Sequence, residues 1–325
     1  MTHGEVGAIT HFGGDPVHLL FWLNRYSRFW RSEIKKLYLV LSWPPEMVGE
    51  EIIQLQREIL SGYPEITVIE HRGDICPELA NPLAIPFVEE PITLFIESDV
   101  FVYQKEWLTR FLVDPIRSRG KKIVAADYQL LPNYCPSPRI QGLMRACMSV
   151  DTELLRRTDS DFMPQSLKSG EVRNGFTIPG SFDTDCFGWM SWQLLSMITD
   201  EELEVLPTVN NLNTQRNLLA QVLKTWPILH IRQFSSSLLG FNGPAFGWIK
   251  DHDPRGDEII LSNCDDWAVE RSVVFRQIFL DEVRGVIPIA FRKDYEYMLE
   301  QTIIKRGLNR KKLALIAQQV KHLIG

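Results

Sequence analysis

The amino-acid sequence predicts an α/β fold: a central, mostly parallel β-sheet with helices on both faces, followed by a helical C-terminal extension. Three observations carry that expectation. Short apolar runs alternate with longer amphipathic stretches as far as Asp127. From about Tyr128 this rhythm gives way to loop-rich sequence with one late strand. From about Asp265 onward the apolar residues keep helical spacing.

The elements follow in chain order. Val6–His11 (VGAITH) is a first strand, and Pro16–Trp30 a helix with proline in its first turn, where a missing N–H costs little. Leu37–Ser42 is a second strand, and Pro45–Tyr63 a helix with Met, Ile and Leu at helical spacing. Ile66–Glu70 is a third strand. PELANPLAIPF is a short, proline-interrupted helix, TLFIE (Thr93–Glu97) a fourth strand, and Lys121–Asp127 continues the pattern. Beyond it, LPNYCPSPR and MPQSLKSGEVRNGFTIPGSFDTD read as loops. Trp226–Phe234 reads as a strand, with the Gly-, Ser- and Asn-rich SSSLLGFNGPAFG after it. WAVERSVVFRQIFLDEV, DYEYMLEQTIIKRG and RKKLALIAQQVKHLIG are three closing helices, and no internal repeat or low-complexity linker divides the chain.

Composition excludes several classes. The 325 residues are 45% hydrophobic and 23% charged, with a net charge of −6, an ordinary globular balance. A mild acidic excess argues against a broad nucleic-acid surface, which needs clustered Lys and Arg. Cys76, Cys135, Cys147, Cys186 and Cys264 are odd in number and lack CxxC spacing, so reduced thiols are expected. The N-terminal MTHGEVGAITHF has no basic segment followed by a long apolar one, and no apolar run approaches the roughly 20 residues of a membrane span. A cytoplasmic protein is expected.

The chemistry-bearing stretch is TLFIESDVFVYQ. An apolar strand ends in Glu97-Ser98-Asp99, two carboxylates two residues apart. Residues two apart on an extended chain point to the same side, so the pair repels itself unless a cation is near. A hard divalent ion, Mn²⁺ or Mg²⁺, takes oxygen ligands and bridges a diphosphate. In a parallel α/β sheet this position, the carboxyl end of a strand, is where ligands collect. The same tripeptide also fits a solvated acidic strand end.

Element order together with an acid-x-Asp triplet about a hundred residues in resembles the metal-dependent glycosyltransferases of the GT-A fold, a Rossmann-type α/β/α sandwich. Their DxD motif stands here as Glu97-Ser98-Asp99. The resemblance implies that Asp99 ligates the metal, Mn²⁺ or Mg²⁺, and that Glu97 and Ser98 border the donor, a nucleoside diphosphate sugar, with a UDP-sugar favoured. It implies a nucleotide pocket at the other strand ends. His11, Phe12, Gly13 and Gly14 follow the first strand, Ser42 and Trp43 the second, and Asp74 the third. Asp74 is then the contact to base or ribose, with Phe12 or Trp43 stacking on the base and the glycines allowing close backbone approach. Each of these also fits turn chemistry or core packing.

Two further segments extend the resemblance. GSFDTDCFGWMSWQLL (Gly180–Leu195) is similar to the family's turn at the acceptor site, and either Asp183 or Asp185 is then the base toward the acceptor hydroxyl or the enzyme is of a retaining type that needs no such base. The family's later helical acid would fall near Ser191-Trp192, where no acid stands. Asp183 equally suits an N-cap, with Trp189 and Trp192 in the core. In ILHIRQFSSSLLG, His230 corresponds to a late metal ligand and Arg232 to the group that neutralises the departing diphosphate. FNGPAFGWIKDHDPRGD has the content of a lid, with His252 and Asp253 as further metal candidates.

On this resemblance, residues 1–127 form a nucleotide-sugar-binding half, 128–264 an acceptor half with the late metal-site strand and lid, and 265–325 a helical extension. The expected activity is metal-dependent transfer of a sugar to a hydroxyl acceptor. Two alternatives stay open: a sugar-nucleotide nucleotidyltransferase, against which HFGGDPVH offers no Lys or Arg for a triphosphate, and a non-catalytic carbohydrate-binding protein. The last helix has a basic start and apolar Leu313, Ile316, Ala317, Val320 and Leu323. It suits docking on the body or contact with an anionic membrane surface.

Overall fold

The computed structural model describes residues 5–43, 48–72, 77–98, 100–102, 105–125, 147–163, 165–183, 187–205, 228–230 and 266–324. Its centre is a mostly parallel sheet. Strands β1 (Val6–Phe12), β2 (Lys36–Ser42), β3 (Ile66–His71) and β4 (Ile92–Ile96) run parallel in the order β3-β2-β1-β4. Past β4 the sheet continues through β7 (Cys147–Asp151), antiparallel to β4 and to β6 (Ile123–Ala125). At the far edge β12 (Leu203–Val205) lies parallel to β6. Among the described residues seven strands make this sheet.

Helices cover both faces, because the central strands β1, β2 and β4 are buried on both sides. On one face α1 (Pro16–Arg25) and α2 (Glu50–Ser61) pack with the C-terminal α7 (Asp266–Val283), α8 (Ile289–Lys305) and α9 (Arg310–Ile324). Ala8, Phe12, Leu41, Leu94 and Ile96 of the sheet meet Leu19, Ile53, Phe279 and Tyr295 there. On the other face α3 (Pro77–Ala84), α5 (Thr152–Arg156) and α6 (Gly188–Ser196) cover Ile9, Val40, Phe95 and Met148. The short α4 (Asp114–Arg119) leads into β6.

Helix α1 is set by its ends. The Asp15 carboxylate accepts the backbone N–H groups of Val17 and His18 at 3.0 and 3.1 Å, an N-cap contributing about 1 kcal/mol, and Pro16 occupies the first turn. Its residues are apolar nearly all round because α7 covers the side that the sheet does not; Phe21 stacks on Phe279 at 4.0 Å. The helix expected to reach Trp30 stops at Arg25 and continues as one π-helical turn, Tyr26–Trp30. That wider turn lets Trp30 meet Trp22 and Tyr26 edge-on, at 5.2 and 4.9 Å. On β1 a Cβ added at Gly7 would stand 2.6 Å from the Glu90 carboxylate and 2.9 Å from Val88 Cγ1, so those side chains would have to shift.

The C-terminal helices belong to the body. Leu313 is buried, and Ile316 and Ala317 pack against the same core as α1 and α7. The basic residues pair with acids on neighbouring helices: Lys312 with Glu270 at 2.5 Å and Lys321 with Asp281 at 3.1 Å. Of the apolar residues invoked for membrane contact, Leu313, Ile316 and Ala317 are therefore used in packing, and the side chains of Val320 and Leu323 lie outside those described. Among the described residues no helix is long and apolar enough to cross a membrane.

Two features of the middle region were not expected. The sequence pattern does not mark strand β7, whose one interior hydroxyl, Ser149, is satisfied by donating to the Leu112 carbonyl at 2.6 Å. The segment read as loop contains two-residue strands: β8 (Ser166–Leu167) pairs with β11 (Phe182–Asp183), and β9 (Val172–Arg173) with β10 (Phe176–Thr177). Of the cysteines, Cys147 is buried; the other four lie outside the described residues.

Candidate functional site

Strands β1 to β4 all end on one edge of the sheet. The chain moves outward from β1 to β2 to β3, then returns to place β4 on the opposite side of β1. The crevice between β1 and β4 is thus the topological switch point, where open α/β sheets bind ligands. His11 to Gly14 follow β1 there, and Glu97-Ser98-Asp99 follow β4.

Register and alternation set which residues share a face. Ile9, Val40 and Phe95 point into the core under α3 and α6, with Ile69 packed against it. Two residues further along, His11, Ser42, Glu97 and His71 leave the strand ends on that same side. Ser42 pairs with His71, so these two are level at the edge, while His11 pairs with Val40 and lies two residues short of them. The Ser42 hydroxyl is buried with no hydrogen-bond partner among the described residues. Such a group costs about 1–3 kcal/mol unless something meets it.

Phe12 has a different role from the one expected. It is 1% exposed and packs at 5.1 Å on His18 and edge-on at 5.3 Å on Trp22, so its ring has no free face for a base. Alternation explains this, since Phe12 points to the side opposite His11, into the core beneath α1. Trp43 is also fully buried. Its Nε1–H donates to Gln56 Oε1 at 2.6 Å, and the Arg57 and Arg72 guanidinium groups lie over its ring at 5.6 and 5.4 Å.

Three side chains unremarked in the sequence hold the edge loops by their main chain. Gln56 of α2 donates to the Gly13 carbonyl at 2.8 Å while it receives Trp43, tying the ends of β1 and β2 together. His18 Nε2–H donates to the Ser98 carbonyl at 2.7 Å; a carbonyl only accepts, so Nε2 carries a proton. Trp22 Nε1–H donates to the Val100 carbonyl at 3.2 Å. The Val100 N–H in turn donates to the Glu97 carbonyl at 3.0 Å.

Strand β5 (Val100–Val102) starts at that point and pairs antiparallel with β13 (Ile228–His230). The register sets His230 opposite Val100, the residue after Asp99 in sequence. Residues 130 positions apart in the chain thus meet beside the acid triplet. Asp99 itself lies outside the described residues, as do Asp74, Asp185, Arg232, His252 and Asp253, and of His230 only the backbone is described.

Asp183 lies in β11 opposite Ser166. It does not cap α6: that helix begins after Phe187, which takes a left-handed φ of 66° and offers no side-chain cap. Ser191 and Trp192 are 1% and 7% exposed, and Trp192 stacks on Trp189 at 5.3 Å. The surrounding acids are committed to structure. Asp159 accepts Trp189 Nε1–H at 2.6 Å and Gln193 Nε2 at 2.7 Å, and Asp161 accepts from Arg173 at 3.1 Å.

The carboxylates of Glu97 and Asp99 and the imidazole of His230 are by chemical type oxygen and nitrogen donors that suit Mn²⁺ or Mg²⁺. Among the described residues alone, no group of three or more His, Cys, Asp or Glu is assembled for a metal.

No protein-family model matches the chain, and no curated protein matches it. Among solved structures it is similar to glucosyl-3-phosphoglycerate synthase from Mycobacterium tuberculosis in complex with Mn²⁺, UDP-glucose and glycerol 3-phosphate. Identity is 13%, covering 62% of this chain and 69% of that one, with a TM-score of 0.39. It is likewise similar to a mannosyltransferase from Pyrobaculum calidifontis in complex with GDP-mannose and Mn²⁺. There identity is 12%, coverage 98% and 85%, and the TM-score 0.39.

Proposed function

We propose that the chain is a glycosyltransferase that moves a sugar from a nucleoside diphosphate donor, a UDP-sugar first, to a hydroxyl acceptor with Mn²⁺ or Mg²⁺. The observation that carries this reading is the meeting of β5 and β13. It sets His230 across from Val100, directly after the acid triplet, at the switch point of a parallel sheet.

The residues divide the work as follows. Asp99 and His230 hold the metal, and Glu97 and Ser98 line the donor. A bound divalent ion supplies charge neutralisation to the diphosphate. His11, Gly13, Ser42 and Asp74 border the nucleotide, with the buried Ser42 hydroxyl available to a donor oxygen. The acceptor oxygen forms a bond to the anomeric carbon as the carbon–oxygen bond to the diphosphate breaks. The electron pair leaves on the diphosphate, beside Arg232. The acceptor proton goes to Asp183 or Asp185.

A panel of nucleotide sugars with and without Mn²⁺, scored for released nucleoside diphosphate, tests this directly. Release from one donor, dependent on Mn²⁺ and reduced at least ~100-fold in Asp99→Ala, is the expected result. Release that ignores both metal and the substitution would refute the reading.

A further inference from the structure

We propose that helix α1 and the C-terminal helices form one positioning device for the acid triplet, with His18 and Trp22 as positioning residues. This rests on the functional reading above. His18 and Trp22 stand one helical turn apart on α1, and their ring N–H groups take the carbonyls of Ser98 and Val100. Those two carbonyls lie on either side of position 99 in the chain. A pair of fixed donors there sets the path of the main chain as it leaves β4 and starts β5, and with it the pairing of β5 with β13.

The clamp is itself anchored by the extension. The His18 ring is held between Phe12, at 5.1 Å, and Phe279 of α7, stacked at 5.7 Å. The Asp15 carboxylate that caps α1 turns its second oxygen to Arg276 of α7, and to the Tyr295 hydroxyl of α8 at 3.0 Å. Arg276 and Tyr295 are fully buried, and Arg276 also donates to the Tyr295 hydroxyl at 3.2 Å. Burial, then the Asp15 charge, push the Tyr295 phenol well above its ordinary value, so it stays a neutral donor. A buried charge pair is costly to assemble and does most for specificity of arrangement, which is the role assigned here. The chain of contacts runs from α8 and α7 through Asp15 and His18 to Ser98 without a gap.

The test compares wild type, His18→Phe, His18→Gln and Asp99→Ala. Phenylalanine keeps the ring packing and removes the donor; glutamine restores an N–H near the Nε2 position. Hydrogen exchange of amides in 97–102 is measured without ligand, and Mn²⁺ affinity of the UDP-loaded protein by electron paramagnetic resonance. His18→Phe should exchange this segment ~10-fold faster and bind Mn²⁺ ~10-fold more weakly, with His18→Gln recovering most of both. A folded His18→Phe with wild-type exchange and affinity overturns the proposal. Should His18→Phe fail to fold, Tyr295→Phe takes its place. It removes one hydroxyl, should speed exchange of 97–102 ~3-fold, and overturns the proposal if exchange is unchanged. If wild type shows no Mn²⁺-dependent UDP binding, the functional reading fails separately, and the exchange measurement still decides the clamp.

Discussion

The edge of β1 to β4 and the β8–β11 region with α6 both spend polar side chains inside the molecule, but in opposite ways. At the sheet edge, Gln56, His18 and Trp22 bond to main-chain carbonyls of the loops. The loops that follow β1 and β4 are thus held by their backbone. Around α6 the bonds join side chain to side chain: Asp159 to Trp189 and Gln193, Asn174 to Gln193, Arg173 to Gln165 and Asp161. There the polar groups use one another up. A region can carry many Asp, Asn and Arg residues and offer few of them to a ligand. Where they bond, not how many there are, separates a binding edge from a structural lattice.

The largest expected effect lies where the extension meets α1. Asp15→Ala removes the partner of the buried Arg276 and the cap of α1, and should cost about 3–5 kcal/mol in urea unfolding. A loss under 1 kcal/mol would mean that the pair is not what joins the extension to the body.

A pair of substitutions sharpens the comparison next. Gln56→Ala leaves the buried Trp43 N–H and the Gly13 carbonyl without their partner and should cost about 2 kcal/mol. It should also weaken nucleotide binding, because the loop after β1 is released. Asp159→Ala should cost about 2 kcal/mol as well, because it leaves the buried Trp189 N–H and Gln193 amide without their acceptor. Nucleotide affinity should stay at the wild-type value in that variant. If calorimetry instead finds the two variants equally impaired in binding, the distinction between edge and lattice is wrong.

The smallest effect concerns a surface pair between α2 and β3. Arg57 grips both oxygens of Glu70 at 2.7 and 2.6 Å and holds that carboxyl below the usual range, with partial burial acting the other way. A depressed value means stability that is present above the unfolded carboxyl range and lost as pH falls through the folded one. Both groups are over a third exposed, so the contribution is below ~1 kcal/mol. Arg57→Ala should flatten the fall in stability below roughly pH 4.3, and an unchanged acid slope would show the pair to be idle.

Much of the parallel half was legible in the sequence, because apolar strands and amphipathic helices leave periodic signals. VGAITH, LYLVLS and ITVIE differ from the observed strands by a residue at an end. Strand β7 was not legible, since CMSVD places Ser149 inside a buried strand and its satisfaction depends on Leu112, 37 residues away. The two-residue strands are too short for any period. For the site, the acid triplet was legible as two like charges ending an apolar strand. Phe12 was misread because its position after β1 suggested the crevice, whereas alternation turns it into the core. His18 gave no signal at all, as its bond to Ser98 spans 80 residues. An imidazole inside an amphipathic helix reads the same whether or not a carbonyl awaits it.

The central claim is that the residues after β4 and in β13 make a metal-dependent nucleotide site. Titration of UDP into wild type and Asp99→Ala, each with Mn²⁺ and with chelator, tests it most directly. The account predicts that UDP binds wild type at least ~10-fold more tightly with Mn²⁺, and that Asp99→Ala shows the same weak binding in both conditions. Equal affinity of wild type with and without Mn²⁺ would contradict it.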